Sequence, residues 1–189
     1  MKEVLERGYV MLQKENALIM VIDLQEKLVP AIDRGSEVVN AAARVLQGGQ
    51  LFDLPVIWME QYPKGLGRTV GEVAAQLNDH QPIEKVEFNA LDHEDVLTTL
   101  KKTRKKQVVL VGIETHICLL QTAKALVDRG YDVYVVEEAT GSRSAANKER
   151  ALATMRQIGV EVTGVESMLY ELLGRAGTPL FKDVLALIK

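Results

Sequence analysis

The chain has 189 residues, 47% hydrophobic and 26% charged, with 23 basic against 26 acidic side chains and a net charge of −3. That composition excludes a disordered chain, and a domain of this length buries roughly 70% of its unfolded surface, so it needs neither disulfides nor a structural metal. The balanced charge gives no global field for nucleic acid, the single cysteine, Cys118, forbids an internal disulfide, and apolar runs of about five to eight residues are too short for a bilayer.

Residues 1–7 are charged and mixed, without a signal-peptide core, so a reducing cytoplasm is the expected location. No repeat, low-complexity tract or linker divides the chain, and one domain over residues 1–189 is expected. Ala17-Leu18-Ile19-Met20-Val21-Ile22 reads as a buried strand ending at Asp23. Apolar residues at helical spacing follow over residues 36–51 (Val38, Val39, Ala42, Val45, Leu46). Residues 56–59 form a second strand, entered through Pro55, and 107–112 another, followed by a helix over 115–129 that Gly130 stops. Residues 132–136 are a further strand, 148–157 a helix ending at Gly159, and 160–163 a shorter strand. Helices are expected over 167–173 and 180–188.

These strands are continuous apolar runs rather than alternating ones, the pattern of strands covered on both faces. Alternation of strand and helix therefore predicts a three-layer α/β domain with a parallel sheet. Residues 60–87 fit poorly: they contain Tyr62-Pro63-Lys64-Gly65 and the polar Asn78-Asp79-His80-Gln81-Pro82, with no apolar period. A long irregular excursion of this kind is often functional.

Ligands of open parallel sheets bind beyond the carboxyl ends of the strands. Asp23 follows the first strand, Cys118 lies in the first turn of the helix at 115–129, and Lys85 follows the irregular excursion. A carboxylate, a thiol and an amine form a complete set for acyl transfer if they converge: the thiolate attacks, the carboxylate moves the proton, and the ammonium favours the anionic forms. A helix N-terminus would lower the thiol's pKa, so alkylation is expected well below about pH 8.5, the free-thiol value. Each residue also has a structural reading. A lone cysteine is a small buried hydrophobe, Asp23 can close a turn, and Lys85 beside Glu84 and Glu87 can be a solvated charge.

Three ordered segments carry a resemblance. Val21-Ile22-Asp23-Leu24-Gln25, Lys85-Val86-Glu87-Phe88-Asn89-Ala90 and Val111-Gly112-Ile113-Glu114-Thr115-His116-Ile117-Cys118 resemble the motifs of the isochorismatase-like cysteine hydrolases. Gln121-Thr122-Ala123, Arg129-Gly130-Tyr131-Asp132-Val133 and Gly141-Ser142-Arg143 extend it, and residues 60–67 resemble the isochorismatase-domain-containing subgroup. The resemblance implies a three-layer α/β/α Rossmann-like fold with a mostly parallel six-stranded sheet. It implies Asp23, Lys85 and Cys118 as catalytic triad, and a non-proline cis peptide at Ile113-Glu114 that turns the Glu114 N–H to join that of Cys118 as oxyanion hole. Hydrolysis of a C–N bond in a small amide or carbamoyl-like substrate through a thioester follows, with no cofactor, and a homo-oligomer is expected. Gln25, Trp58, Gln61 and Tyr62 are the substrate-pocket candidates. Nicotinamidases of this superfamily hold a metal through an Asp and two His after the second strand; here Trp58-Met59-Glu60-Gln61-Tyr62 has no His, and His80, His93 and His116 lack ligand spacing, so no metal is expected. Siderophore-pathway isochorismatases lack the cysteine, so Cys118 argues against vinyl-ether chemistry. The Glu114 carboxylate is expected to turn away from the oxyanion. A silent binding or scaffold protein on the same fold and a redox-active thiol protein are the alternatives; one cysteine without a resolving partner limits the latter to intermolecular or small-thiol recycling.

Other signals read as structural. Five cations within residues 101–106 suit a solvated helix C-terminus, and 5% aromatics leave little to stack on bases. His116, two residues from Cys118, faces another direction on a helix. Lys64, Arg68 and Arg143 are candidate anion contacts or plain surface charges. Gly65 and Gly67 form no dinucleotide fingerprint. A small-molecule substrate, and neither nucleic acid nor membrane, is the expected partner.

Overall fold

Six strands form one sheet in the order β3-β2-β1-β4-β5-β6: β1 Ala17–Ile22, β2 Val56–Gln61, β3 Ile83–Lys85, β4 Gln107–Ile113, β5 Asp132–Gly141 and β6 Glu161–Thr163. Every neighbouring pair is parallel, so the sheet is wholly rather than mostly parallel. The computed structural model describes residues 10–77 and 80–189; the readings at residues 1–7 and at Asn78-Asp79 lie outside the described residues. Among the described residues no helix is long and apolar enough to cross a membrane.

The continuous apolar runs divide by parity between two faces. Ile19 and Val21 of β1 and Val109 and Val111 of β4 pack with α1 (Gly35–Leu51), α7 (Val165–Leu173) and α8 (Phe181–Ile188). Leu18, Met20 and Ile22 of β1 and Val108 and Leu110 of β4 pack with α4 (Glu94–Thr103), α5 (Leu120–Asp128) and α6 (Ala145–Gln157). Successive strand residues point to opposite faces, so a run that is apolar at every position fills two cores, the three-layer arrangement read from sequence. At roughly 25 cal/mol per Å² of apolar surface, these two cores dominate the driving force for folding.

The run of cations ends α4 as expected. Lys101 and Lys102 occupy its last turn and Arg104 caps it in the left-handed conformation. Its start carries a cap the sequence did not announce: the His93 ring accepts from the Asp95 N–H at 3.3 Å. The excursion at 60–87 contains two single-turn helices, α2 (Pro63–Leu66) and α3 (Gly71–Ala74), and then the short edge strand β3. It is tied inward by Glu60, buried on β2, whose carboxylate accepts from the Thr69 N–H at 2.8 Å and from Arg68 at 2.8 Å.

Strand order reverses between β1 and β4, which opens a crevice at their carboxyl ends. Gly112 lets those ends close: its φ is +143°, and a Cβ there would lie 2.1 Å from the Ile22 carbonyl oxygen.

Candidate active site

Three strands end in non-glycine residues with positive φ: Asp23 (57°) after β1, Tyr62 (37°) after β2 and Glu114 (54°) after β4. Left-handed backbone at such residues is uncommon and gathers where function demands it. Each turns the chain sharply where the strand leaves the sheet, which aims the neighbouring side chains into the crevice rather than along the strand.

Asp23, Lys85 and Cys118 meet there. Lys85 Nζ donates to Asp23 Oδ2 at 2.9 Å, with both side chains buried. It also donates to Gln61 Oε1 at 2.6 Å and to the Glu87 carbonyl at 3.2 Å. Asp23 Oδ1 is buried and accepts no hydrogen bond of regular geometry. The Cys118 thiol lies against this carboxylate closely enough for each group to shift the other's ionisation. Burial raises the Asp23 pKa above its ordinary value, and Lys85 opposes that rise.

Burial likewise pushes the Cys118 thiol up to about 12, with the Asp23 charge adding to the rise and Lys85 opposing it. The depressed thiol expected from a helix N-terminus is therefore corrected. Cys118 stands in a π-helical turn, Thr115–Leu119, that leads into α5, and it packs in the α4–α5 core at 5% exposure. Desolvation and a neighbouring anion outweigh the backbone dipole there. The resting sulfur is a thiol beside the Asp23 carboxylate.

This has a stability consequence. Between about pH 9 and pH 12 the folded chain keeps a proton that an unfolded cysteine has released. The folded state then binds more protons, so stability falls as pH rises, by about 1.4 kcal/mol per pH unit for one group. Comparing urea unfolding at pH 8 and pH 10, wild type should lose roughly 1–2 kcal/mol more than Cys118→Ala. Equal losses would contradict the raised thiol pKa.

The peptide at Ile113–Glu114 is trans, since the described residues contain no cis bond. The expected cis turn is corrected: Glu114 itself, in the left-handed conformation, reverses the chain while its amide stays trans. The Glu114 carboxylate is held off by Arg143, whose Nε donates to it at 2.5 Å, and it stands 3.4 Å from His116 Nδ1. His116 Nδ1 also pairs with Ser142 Oγ at 3.0 Å. His116 thus serves this second polar cluster and makes no hydrogen bond to Cys118. Arg143 is engaged by Glu114, and Arg68 by Glu60 and Glu84, so neither is a free anion contact.

The four pocket candidates separate. Gln25 is fully buried and its side chain binds main chain only: Oε1 accepts from the Gln61 N–H at 2.7 Å, and Nε2 donates to the carbonyls of Gln61 at 2.9 Å and Gly67 at 2.7 Å. Gln25 is a clamp, not a pocket wall, because every polar atom of its amide is engaged. Trp58 packs against the α1 face and donates to Thr69 at 2.8 Å, across the sheet from the Cys118 core. It lines a separate cleft of about 390 Å³ with Glu60, Arg68 and Glu84. Gln61 touches Lys85 directly. Tyr62 remains exposed beside it, its N–H bonded to the Lys85 carbonyl at 2.9 Å. The contact sequence reading missed is the Glu87 carbonyl on Lys85, invisible because a main-chain acceptor leaves no residue signature. Among the described residues no group of three or more His, Cys, Asp or Glu could hold a metal ion.

Comparison with known proteins gives a consistent picture. Residues 16–167 match the model of the isochorismatase domain. Isochorismatase domain-containing protein 2 of Xenopus laevis is 41% identical over 179 residues, covering 94% of this chain and 85% of the relative. The MAR1 ribonuclease structure from Caenorhabditis elegans superposes with a TM-score of 0.89 at 36% identity, covering 95% of this chain and 92% of that one. The YcaC gene product of Escherichia coli, described as an octameric hydrolase of unknown specificity, superposes with a TM-score of 0.87 at 26% identity, covering 96% and 89%.

Proposed function

The chain belongs to the isochorismatase family, and from that membership we propose that it is a cysteine hydrolase cleaving a C–N bond of a small amide or carbamoyl-like compound. In the proposed sequence Asp23 takes the Cys118 proton as the sulfur attacks the carbonyl carbon, giving a tetrahedral oxyanion. The backbone N–H groups of Glu114 and Cys118 hold that oxyanion. Collapse breaks the C–N bond, and the departing nitrogen takes the proton from Asp23, leaving a thioester. Asp23 then accepts a proton from water, which attacks the thioester; the acid leaves and the proton returns to sulfur. Lys85 is the fixed cation that keeps Asp23 available as a base. The chemistry uses no cofactor and no metal.

The observation that carries the reading is the convergence of Asp23, Lys85 and Cys118 from the ends of three separate strands into one crevice, with the Cys118 thiol against the carboxylate that Lys85 holds. A reducing compartment such as the cytoplasm suits a mechanism that runs on a free thiol. A homo-oligomer is proposed on the likeness to the octameric YcaC product. Exposed Tyr62, Val86 and Phe88 beside the crevice are apolar surface that a second copy would cover.

The test is a screen of small amides, ureas and carbamates read by ammonia release, with single-stranded RNA as a further arm because one relative is a ribonuclease. Ammonia release from at least one class, with RNA left intact, is the expected outcome. RNA cleavage without ammonia release from any amide would overturn the proposal.

A further inference from the structure

An ammonium has three N–H donors and no acceptor. On Lys85 all three are engaged: by Asp23 Oδ2 at 2.9 Å, Gln61 Oε1 at 2.6 Å and the Glu87 carbonyl at 3.2 Å. None remains for a substrate. The Gln61 amide has only one orientation, because the Val86 carbonyl can only accept and takes its Nε2–H at 2.8 Å, while Nζ can only donate. Gln61 is itself held at both main-chain groups by buried Gln25. A relay of fixed contacts therefore runs from Gln25 through Gln61 and Lys85 to Asp23.

We infer that Gln61 is a positioning residue for the proposed reaction: it occupies the third donor of the Lys85 ammonium and so confines that charge to Asp23, away from the substrate carbonyl. The Gln61 side chain acts through Lys85, while the Gln61 main-chain N–H lies against the Asp23 carboxylate. The inference rests on the reading that Asp23 exchanges a proton with Cys118. It replaces the expectation that Gln61 lines the substrate pocket.

The groups that set the ionisation are few. Asp23 is faced by Lys85 from β3, by Gln61 from β2 and by Cys118 from the turn after β4. Cys118 is faced in addition by Glu114. The Glu87 carboxylate, near Lys85, bonds the Val86 N–H at 3.1 Å and feels His93. When a carboxylate and a thiol share one proton, the reactive sulfur anion appears once the pair has lost its first proton, and its fraction stays level until the second leaves. The acid limb of alkylation therefore reports the Asp23–Cys118 pair without needing a known substrate.

The experiment is alkylation of the full chain by iodoacetamide across pH, separating the maximal rate from the saturation constant, for wild type, Gln61→Glu and Gln61→Met. A second carboxylate on the ammonium makes Asp23 harder to ionise, so Gln61→Glu should move the acid limb up by about one pH unit. Removing the amide oxygen leaves the Lys85 charge less opposed, so Gln61→Met should move it down by about half a unit. Both variants should keep the wild-type saturation constant. Limbs that coincide with wild type, or a change confined to the saturation constant, would overturn the inference and make Gln61 a pocket wall. A wild-type profile with no acid limb would overturn both this inference and the proton exchange beneath it. If one variant fails to fold, the sign of the other's shift still decides.

Discussion

Cys118→Ala should remove hydrolysis entirely while the protein stays folded. The nucleophile is the one group in this mechanism with no substitute: Asp23 can move protons and Lys85 can hold charge, but neither is placed or polarised to form the acyl intermediate. Loss of a catalytic nucleophile costs about 10⁴–10⁶ in rate, because the remaining members of the set contribute little without it. The structural penalty is small. The substitution deletes one sulfur from the α4–α5 core, which should cost about 1 kcal/mol. Ammonia release on the substrate that the screen identifies, measured beside thermal unfolding, checks both parts. Residual turnover within tenfold of wild type would mean that the reaction does not pass through this sulfur.

Lys85→Met should be the most destabilising substitution in the site. Asp23 is 2% exposed, and its pKa is already raised by burial, with Lys85 as the main opposing influence. Removing the ammonium leaves a buried carboxylate that must remain charged and unpaired or take up a proton. Breaking a buried pair from one side costs about 3–5 kcal/mol, which for a chain of this size lowers the melting temperature by about 10 °C. The sign with pH follows. A carboxyl whose folded pKa lies above its unfolded value binds more protons when folded, so its penalty grows as pH rises from the unfolded value through the folded one. The deficit of Lys85→Met should therefore be large at pH 7 and shrink toward pH 4. Asp23→Asn combined with Lys85→Met removes both charges and should recover most of the lost stability without any activity, because a neutral pair of similar volume leaves no ion to bury. Urea unfolding of the two single variants and the double variant gives the coupling directly. Additive losses would show that the pair is not coupled.

The layers were legible from sequence because their cause is local. Residues 17–22 and 108–111 are apolar at every position, which only a strand buried on both faces requires. The placing of Asp23 and Cys118 near the crevice followed from the same logic, since Asp23 closes β1 and Cys118 lies in the turn after β4, the two strands that flank the reversal of strand order. The short edge strand β3 was not legible: three residues, Ile83–Lys85, with one buried side chain carry no period. The contacts of Gln25 and Gln61 were not legible for a related reason. A glutamine side chain beside an active site looks alike in sequence whether it faces ligand or main chain, and only the partners of its amide decide. The ionisation of Cys118 was read with the wrong sign because a helix start is visible in sequence, whereas desolvation by α4 and α5 and the approach of Asp23 depend on the assembled fold.

The rate of Cys118 carboxamidomethylation against pH in wild type and Asp23→Asn measures that ionisation directly. Wild type should show an acid limb, a level stretch across neutral pH and a second rise toward about 12. Asp23→Asn should lose the level stretch and follow a single thiol titration centred below the wild-type upper value, because the carboxylate that shares the proton and repels the thiolate is gone. Superimposable curves for the two proteins would mean that Asp23 does not take the proton of Cys118.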